Sequence, residues 1–223
     1  SGGLTRHIVQ CLDDFGIPLR LSCTAVKTHG KDRLEGVTVA KVDDKLQPIP
    51  GTEEYIECDT LLLSVGLIPE NELSKDVGVE LDRVTSGPVV DEYRETLHPG
   101  IFACGNVLHV HDLVDFVSKE AEIAGKSAAE YIKSGKKQSF VIPIKTDGKI
   151  RYTVPQIITE AKDVTVYFRV SDVYKNAKIV ITDGNKTVLS KNKAKLAPGE
   201  MEKITLKAEQ IKSVKELHFC LEV

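Results

Sequence analysis

Gly105 and Asn106 end a hydrophobic run, IFACGNV, just before a sequence that reads as a long helix. In doubly wound α/β folds, ligands bind at the carboxyl ends of strands, and a glycine there lets the backbone approach a cofactor closely. Gly105 fits that requirement for a close approach of a cofactor to the backbone.

The helix that follows is predicted to begin near Leu113, with Asp112 as its cap and Asp115 completing a box-like arrangement. Its free amides and positive dipole end, close to Leu113 and Val114, suit an electron-rich ring edge or an anionic group. The helix has one stripe of apolar and small residues: Val114, Val117, Ala121, Ala124, Ala128 and Tyr131. The alternative is a helix that simply packs on its own sheet.

Two other groups of residues could carry chemistry. His109, His111 and Asp112 form a corner that could bind a metal, but no distant third or fourth ligand is evident, so no metal site is predicted. Cys104 lies in an apolar strand without a neighbouring cysteine and is interpreted as a core residue. The five cysteines are scattered, which predicts reduced thiols in the cytoplasm rather than disulfides or a zinc cage.

The first part of the chain reads as alternating helix and strands. LTRHIVQCLDDFG has apolar residues at helical spacing, whereas IPLRLSCTAVKTHG and LEGVTVAKVDD alternate as strands with GKDR as a turn. EYIECDTLLLSVG then contains three consecutive leucines, Leu61 to Leu63. Such a run is typical of a strand covered on both faces, so helices are expected to flank the sheet.

A domain boundary is predicted at KSGKKQ, residues 133–138, where a glycine and lysines suit a helix carboxyl end. Residues 1–136 form the first predicted domain, and residues 139–223 form a second of about seven short strands, a small all-β sandwich. Val164, Val166, Phe168 and Val170 are expected to face its core, with Thr165, Tyr167 and Arg169 facing out. This half is expected to bind or pack rather than catalyse.

Composition excludes several classes of protein. The chain has 223 residues, 41% hydrophobic and 28% charged, as in ordinary soluble globular proteins. Its longest apolar stretch, TLLLSVGLI, is far shorter than the roughly 20 residues that span a bilayer, so no membrane insertion is predicted. Basic residues are dispersed with few aromatics among them, which argues against a nucleic-acid partner.

Two motifs resemble the carboxyl-terminal half of FAD-dependent pyridine nucleotide-disulfide oxidoreductases. In that family a hydrophobic strand ends in a glycine before a Pro-Asn-like turn, which matches Gly66, Pro69 and Asn71. A second family motif, Thr, then Pro-Gly-hydrophobic-hydrophobic-Ala, then Gly-Asp, matches Thr96 and the run from Pro99 to Gly105. The resemblance covers roughly residues 1–133 and implies a partial Rossmann-like FAD/NAD(P)-binding domain, an α/β fold.

The resemblance also implies roles for individual residues. Asn106 stands where the family has an aspartate that hydrogen-bonds a ribityl hydroxyl of FAD, and the next helix presents its amino end to the pyrimidine side of the flavin. Loss of charge assistance at Asn106 weakens such a bond by about 1 kcal/mol. Gly105, Asn106, Val107, Asp112, Leu113, Val114 and Gly66 are the predicted cofactor-binding residues, and no catalytic acid or base is assigned.

The sequence departs from the family in lacking both its G-x-G-x-x-G turns and a redox C-x-x-C. The interpretation is a fragment of an enzyme that transfers hydride from NAD(P)H to FAD and on to a small-molecule or protein acceptor. The fragment alone is expected to bind FAD poorly or not at all. The alternative is a non-catalytic interaction module that has lost its cofactor sites. The sandwich half could contact a partner subunit or support a homodimer.

Overall fold

The computed structural model describes residues 6–135 and 141–223. The chain divides into two compact units, residues 1–66 and residues 67–223. Helices and strands are mixed, with strands in the majority, so the predicted α/β region followed by a β-sandwich is confirmed as the fold class.

The described residues of the first unit, 6–66, form one helix and a small antiparallel sheet. Helix α1 spans Arg6–Asp14, and strands β1 (Cys23–His29), β2 (Gly36–Lys41) and β3 (Glu54–Glu57) pair in the order β1-β2-β3. The predicted helix and first two strands are confirmed, except that Leu4 lies outside the described residues. The GKDR turn lies between β1 and β2, where His29 pairs with Gly36.

The predicted buried strand over Leu61 to Leu63 is wrong. Strand β3 ends at Glu57, and the following residues have no regular structure. Leu62 is 89% exposed and Val65 is 88% exposed. A run of leucines forms a buried strand only when other strands and helices cover it, and no described residue covers this one. The expectation that helices flank this sheet is likewise not met among the described residues, because most residues of β1 and β3 are exposed.

The second unit begins with loops that lead to the long helix. Helix α2 spans Glu72–Asp76, a short 3-10 turn spans Gly105–Val107, and helix α3 spans Val114–Ser134. Gly135 ends α3 with a φ of 69°, a conformation that glycine adopts without strain. The predicted glycine stop is therefore confirmed, whereas Lys136 to Gln138 lie outside the described residues.

The remainder of the second unit is a two-sheet sandwich. Its strands are β4 (Ile142–Thr146), β5 (Ile150–Val154), β6 (Ile157–Ile158), β7 (Val164–Val170), β8 (Tyr174–Thr182), β9 (Thr187–Leu196), β10 (Glu202–Leu206) and β11 (Leu217–Glu222), with helix α4 at Ala208–Ile211. One sheet has the order β10-β7-β5 and the other β6-β4-β11-β8-β9. The prediction of about seven strands missed the short β6 and the strand β4 beside it.

The two faces of β7 show where the pattern succeeds and fails. Val164, Val166, Phe168 and Val170 are at most 2% exposed and lie in the sandwich core, as the period of two predicts. The expectation that Tyr167 faces outward is wrong, because the residue is only 5% exposed. Its ring contacts His109 and Phe116, which come from the segment before and within α3.

The sheet β10-β7-β5 is therefore covered on both faces. Its second face contributes Tyr152 and Val154 to a small cluster with Val90, Ala103 and Leu108. Gln156 exchanges hydrogen bonds with Val90 through its side chain and its backbone amide. The predicted boundary at residues 133–138 falls within this compact unit, and independent folding of residues 139–223 stays a prediction.

Candidate functional site

The predicted turn at Gly105 is present, and a hydrogen bond to helix α3 fixes its position. Gly105 has a φ of 72°, which favours glycine, and its amide donates to Glu120 Oε2 at 3.0 Å. A Cβ at this position would meet Val117 Cγ1 at 3.5 Å, an ordinary contact, so backbone conformation rather than space selects glycine here. Gly105 is buried, whereas Asn106 and Val107 are exposed.

The side chain of Asn106 stabilises the following loop. Its Oδ1 accepts a hydrogen bond from the His111 amide at 3.2 Å. An amide oxygen has two lone pairs, so Oδ1 retains capacity to accept a further hydrogen bond from solvent or from a ligand hydroxyl.

Glu120 is the centre of a buried polar cluster that we call the Glu120 hub, formed by Glu120, Arg94, His109 and His111. Glu120 Oε1 lies 3.0 Å from Arg94 Nε and 3.2 Å from His109 Nε2, and Oε2 lies 3.2 Å from His111 Nε2. All four side chains are at most 2% exposed. With the Gly105 amide, four donors therefore surround one carboxylate, which satisfies a charge that would be costly to bury alone.

The hub was not predicted from the sequence, although one signal pointed to it. Glu120 lies three residues after Val117 and four before Ala124, on the stripe of apolar and small residues along α3. A glutamate on a stripe of this kind indicates a buried partner. Of that stripe, Val117, Ala124, Ala128 and Tyr131 are at least partly buried, whereas Val114 and Ala121 are exposed.

Arg94 reaches the hub from a tight backbone turn. Its φ of 66° is in the left-handed region, which is unusual for a residue with a side chain. Asp91 Oδ1 accepts from the amides of Tyr93 and Glu95 and so fixes the turn on both sides of Arg94. Asp91 thus stabilises the strained backbone of Arg94 in the conformation that places its guanidinium next to Glu120.

Burial and pairing shift the pKa values of the hub in defined directions. Burial by itself raises the pKa of Glu120, but hydrogen bonds from His109 and His111 and the charge of Arg94 outweigh it and leave that pKa far below its usual range. Burial lowers the pKa of His109, only partly opposed by Glu120. Glu120 is therefore ionised and His109 neutral at pH 7, which leaves His109 Nδ1 without a proton when Nε2 donates.

The hub also contains possible metal ligands. His109, His111 and Glu120 each offer a ligand atom, all within 4.8 Å of one another, and each histidine Nδ1 is buried without a partner among the described residues. The positive charge of Arg94 already lies against Glu120, so a divalent cation at this carboxylate would meet a buried like charge. The cluster is better suited to holding the Gly105 turn than to holding a metal.

The amino end of α3 differs from the sequence prediction. Its N-cap is Leu113, without a side-chain cap, and the prediction that Asp112 caps it is wrong. The Asp112 carboxylate instead pairs with Arg169 of β7 and accepts from the Met201 amide. Asp115 lies in the first turn of α3, where a negative charge is favourable, but forms no capping box.

The predicted residues around the turn form an exposed, partly apolar surface. Val107 is 41% exposed, Leu113 57% and Val114 74%, next to the exposed Asn106. The 3-10 turn and α3 pack against each other, with Gly105 next to Val117 and Glu120. The sandwich covers the neighbouring loop but leaves these four side chains accessible.

Asn71, a residue of the first motif, was not among the predicted site residues. It is 4% exposed, and its Nδ2 donates to the carbonyls of Val107 at 2.8 Å and Ser86 at 3.0 Å. Close by, a Cβ on Gly87 would lie 1.8 Å from the Leu108 carbonyl oxygen, so only glycine fits there. The two sequence motifs therefore meet in the structure, and Asn71 fixes the carbonyl end of the Gly105 turn.

Gly66, the remaining predicted residue, is the last residue of the first unit. Its φ of 95° favours glycine, although a Cβ added there would meet no atom within 4 Å. Its cofactor role stays a prediction, as do the roles of the other predicted residues.

Comparisons with known proteins agree with the motifs. Residues 3–128 match the family described as pyridine nucleotide-disulphide oxidoreductase. The nitric oxide reductase FlRd-NAD(+) reductase of Salmonella agona (strain SL483) is 28% identical over 114 residues, 51% of this chain and 26% of that protein. Dihydrolipoyl dehydrogenase of Manduca sexta is 37% identical over 78 residues, 34% of this chain and 16% of the relative.

A solved structure extends the comparison to the fold. Thioredoxin reductase of T. acidophilum aligns with a TM-score of 0.50 at 27% identity, covering 57% of this chain and 41% of that one. The chain thus spans about a quarter of the length of the first curated relatives that it matches. The family match ends at residue 128, before β4, so it does not include the sandwich.

Proposed function

Because the chain belongs to the pyridine nucleotide-disulphide oxidoreductase family, we propose that the exposed residues Asn106, Val107, Leu113 and Val114 face the flavin in an FAD-dependent NAD(P)H oxidoreductase. The observation that carries the proposal is the exposed surface of Asn106, Val107, Leu113 and Val114 beside an amino end of α3 that has no side-chain cap. Apolar side chains suit a planar ring, and free helix amides suit its electron-rich edge.

The residues present fit this cofactor. Asn106 is exposed, and its Oδ1, which accepts one hydrogen bond from the His111 amide, can accept a second from a ribityl hydroxyl. The positive φ of the buried Gly105 shapes the turn that presents Asn106. Asn71 and the Glu120 hub hold the two ends of the turn from beneath. This chain would thus bind and orient the ring.

When bound, the cofactors would supply hydride transfer from NAD(P)H to FAD and then to an acceptor, a small molecule or a protein. The residues around the Gly105 turn would contribute position and electrostatics. None of them is proposed as a proton donor or acceptor in the transfer.

We also propose that this activity belongs to a longer polypeptide. The sequence lacks a G-x-G-x-x-G turn, and the chain covers 26% of the first curated relative. The exposed side chains of Leu62, Leu63 and Val65 would be covered by further parts of such an enzyme. Residues 1–223 alone should then bind FAD weakly, and a stoichiometric flavin absorbance band on the purified chain would contradict this.

The decisive experiment expresses the complete reading frame and measures flavin content and FAD affinity for the natural sequence, Asn106→Asp and Asn106→Ala. We expect Asn106→Asp to bind FAD about fivefold more tightly and Asn106→Ala to bind it less tightly, since a charge-assisted hydrogen bond is stronger by about 1 kcal/mol.

Asn192→Asp is the matched control, because Asn192 is exposed on β9 and the substitution adds the same charge. Equal FAD affinity in all four proteins would refute the assigned contact. A complete reading frame without any flavin would refute the enzyme and favour a non-catalytic interaction module.

Location and assembly are further proposals. All five cysteines are free, in keeping with a reducing cytoplasm. No helix among the described residues is long and apolar enough to cross a membrane. We propose that the sandwich mediates a homodimer. Sedimentation of the natural chain at the mass of a dimer would support this proposal, and a monomer at high concentration would contradict it.

A further inference from the structure

The loop from His109 to Asp112 contacts helix α3 and the sandwich through alternate residues. His109 and His111 direct their rings to Glu120 of α3. The Val110 carbonyl and the Asp112 carboxylate instead accept hydrogen bonds from Arg169 of β7. The two histidine rings therefore bind the helix, whereas the Val110 carbonyl and the Asp112 carboxylate bind the sandwich.

Arg169 is built into the sandwich rather than placed loosely on its surface. Its side chain is 13% exposed, and its Nε donates to the Tyr152 hydroxyl at 3.2 Å. Its Nη2 donates to the Val110 carbonyl at 3.1 Å as well as to Asp112. A guanidinium held this way loses little further freedom when it pairs with a carboxylate.

Asp112 has both carboxylate oxygens occupied by the sandwich. Oδ1 pairs with Arg169, and Oδ2 accepts from the Met201 amide at 2.6 Å. Aspartate is among the preferred helix N-cap residues, and Asp112 immediately precedes Leu113, the observed N-cap. The sandwich thus holds both oxygens of a carboxylate that lies one residue before the observed N-cap of α3.

We propose that Arg169 is a positioning residue that keeps the Asp112 carboxylate off the amino end of α3, so that this end stays open to the cofactor. The proposal rests on the flavin-facing role proposed above. It gives the sandwich a specific task, which is to set the charge and the geometry of a loop that precedes the long helix.

The first test measures amide hydrogen exchange of the natural chain, Arg169→Gln, Arg169→Lys and Lys178→Gln. Lys178 is the control, because its ion pair with Glu222 lies on an exposed part of the sandwich. We expect Arg169→Gln to speed exchange at residues 110–112 by about fivefold or more and to slow it at residues 114–115, the amides that Asp112 would bind as the N-cap.

The outcomes are distinct. Arg169→Lys should show a smaller change, and Lys178→Gln none at these residues. Faster exchange throughout the second unit would indicate a merely structural role and overturn the proposal, as would unchanged exchange in Arg169→Gln.

The second test measures FAD affinity in the complete reading frame. We expect Arg169→Gln to weaken FAD binding by about fivefold or more, and the added substitution Asp112→Asn to restore most of it, because the freed negative charge is then removed. A double variant that binds FAD no better than Arg169→Gln would overturn the proposal. Absence of FAD from the natural protein would instead refute the proposed function, while the exchange test would still decide the role of Arg169.

Discussion

The sandwich core and the Glu120 hub lie in one compact unit but are stabilised in different ways. The sandwich core is apolar, with side chains such as Phe168, Ile179 and Phe219 fully buried. In the hub, one guanidinium and two imidazoles surround one buried carboxylate. An apolar core depends on volume and tolerates small changes of shape, whereas a buried ion pair depends on each partner. The contrast suggests that the turn needs a fixed position more than the sandwich does.

The largest effect that would sharpen this contrast is expected for Glu120→Gln. The substitution keeps the size of the side chain but leaves the Arg94 guanidinium buried without an opposite charge, which costs about 3–5 kcal/mol in the free energy of unfolding. Urea unfolding would measure the loss. Glu122→Gln on the exposed face of the same helix is the control, and equal losses for both would show that the hub is not special.

A smaller loss is expected for Asn71→Ala, which removes two hydrogen bonds from beneath the Gly105 turn. The Val107 and Ser86 carbonyls lose their donor, at a cost of about 1–3 kcal/mol. Amide exchange near Val107 should rise together with the loss measured by unfolding. A stability loss without local change at the turn would contradict the assigned role of Asn71.

The sandwich core should tolerate a comparable change better. Ile179→Val removes one methyl group from a fully buried side chain and should cost only about 1 kcal/mol. Thermal unfolding beside Glu120→Gln makes the comparison direct. A loss as large as that of Glu120→Gln would remove the distinction between the two regions.

The smallest expected effect is a pH dependence contributed by His109. Because burial lowers its pKa, the unfolded chain binds a proton that the native chain resists, so this contribution to stability falls as pH falls below about 6.5. His109→Gln should lose stability less steeply between roughly pH 7.5 and 5.5 than the natural chain. Parallel slopes of stability against pH in the natural chain and in His109→Gln would disprove the assignment.

What the sequence could predict follows from the range of each interaction. The alternation in β7 correctly identified four core residues, since period-two burial is a local pattern. It failed for Tyr167, because a distant segment, the loop before α3, covers that face. The prediction of a buried strand at Leu61 to Leu63 failed for the opposite reason. The run of leucines indicates burial by other parts of the protein, but no described residue buries them.

The candidate site was predictable in part. The glycine turn and the long helix after it were found from local spacing and motif order. The hub was missed because Arg94 and Glu120 are 26 residues apart and join only in the folded chain. The capping prediction for Asp112 failed because its competing partner, Arg169, is 57 residues away. Sequence patterns predict a local contact such as a helix cap correctly only when no residue distant in sequence binds the same side chain more strongly.

The sheet β10-β7-β5, covered on both faces, has a practical consequence for dissecting this protein. Truncation after Ser134 would strip away the wall against which Leu108, His109 and Phe116 rest, and would leave Asp112 without its cation. The truncated protein should therefore aggregate or be degraded, and its lack of bound flavin would not show which residues bind the cofactor. Single substitutions are therefore better suited than truncations to test the roles of residues in this protein.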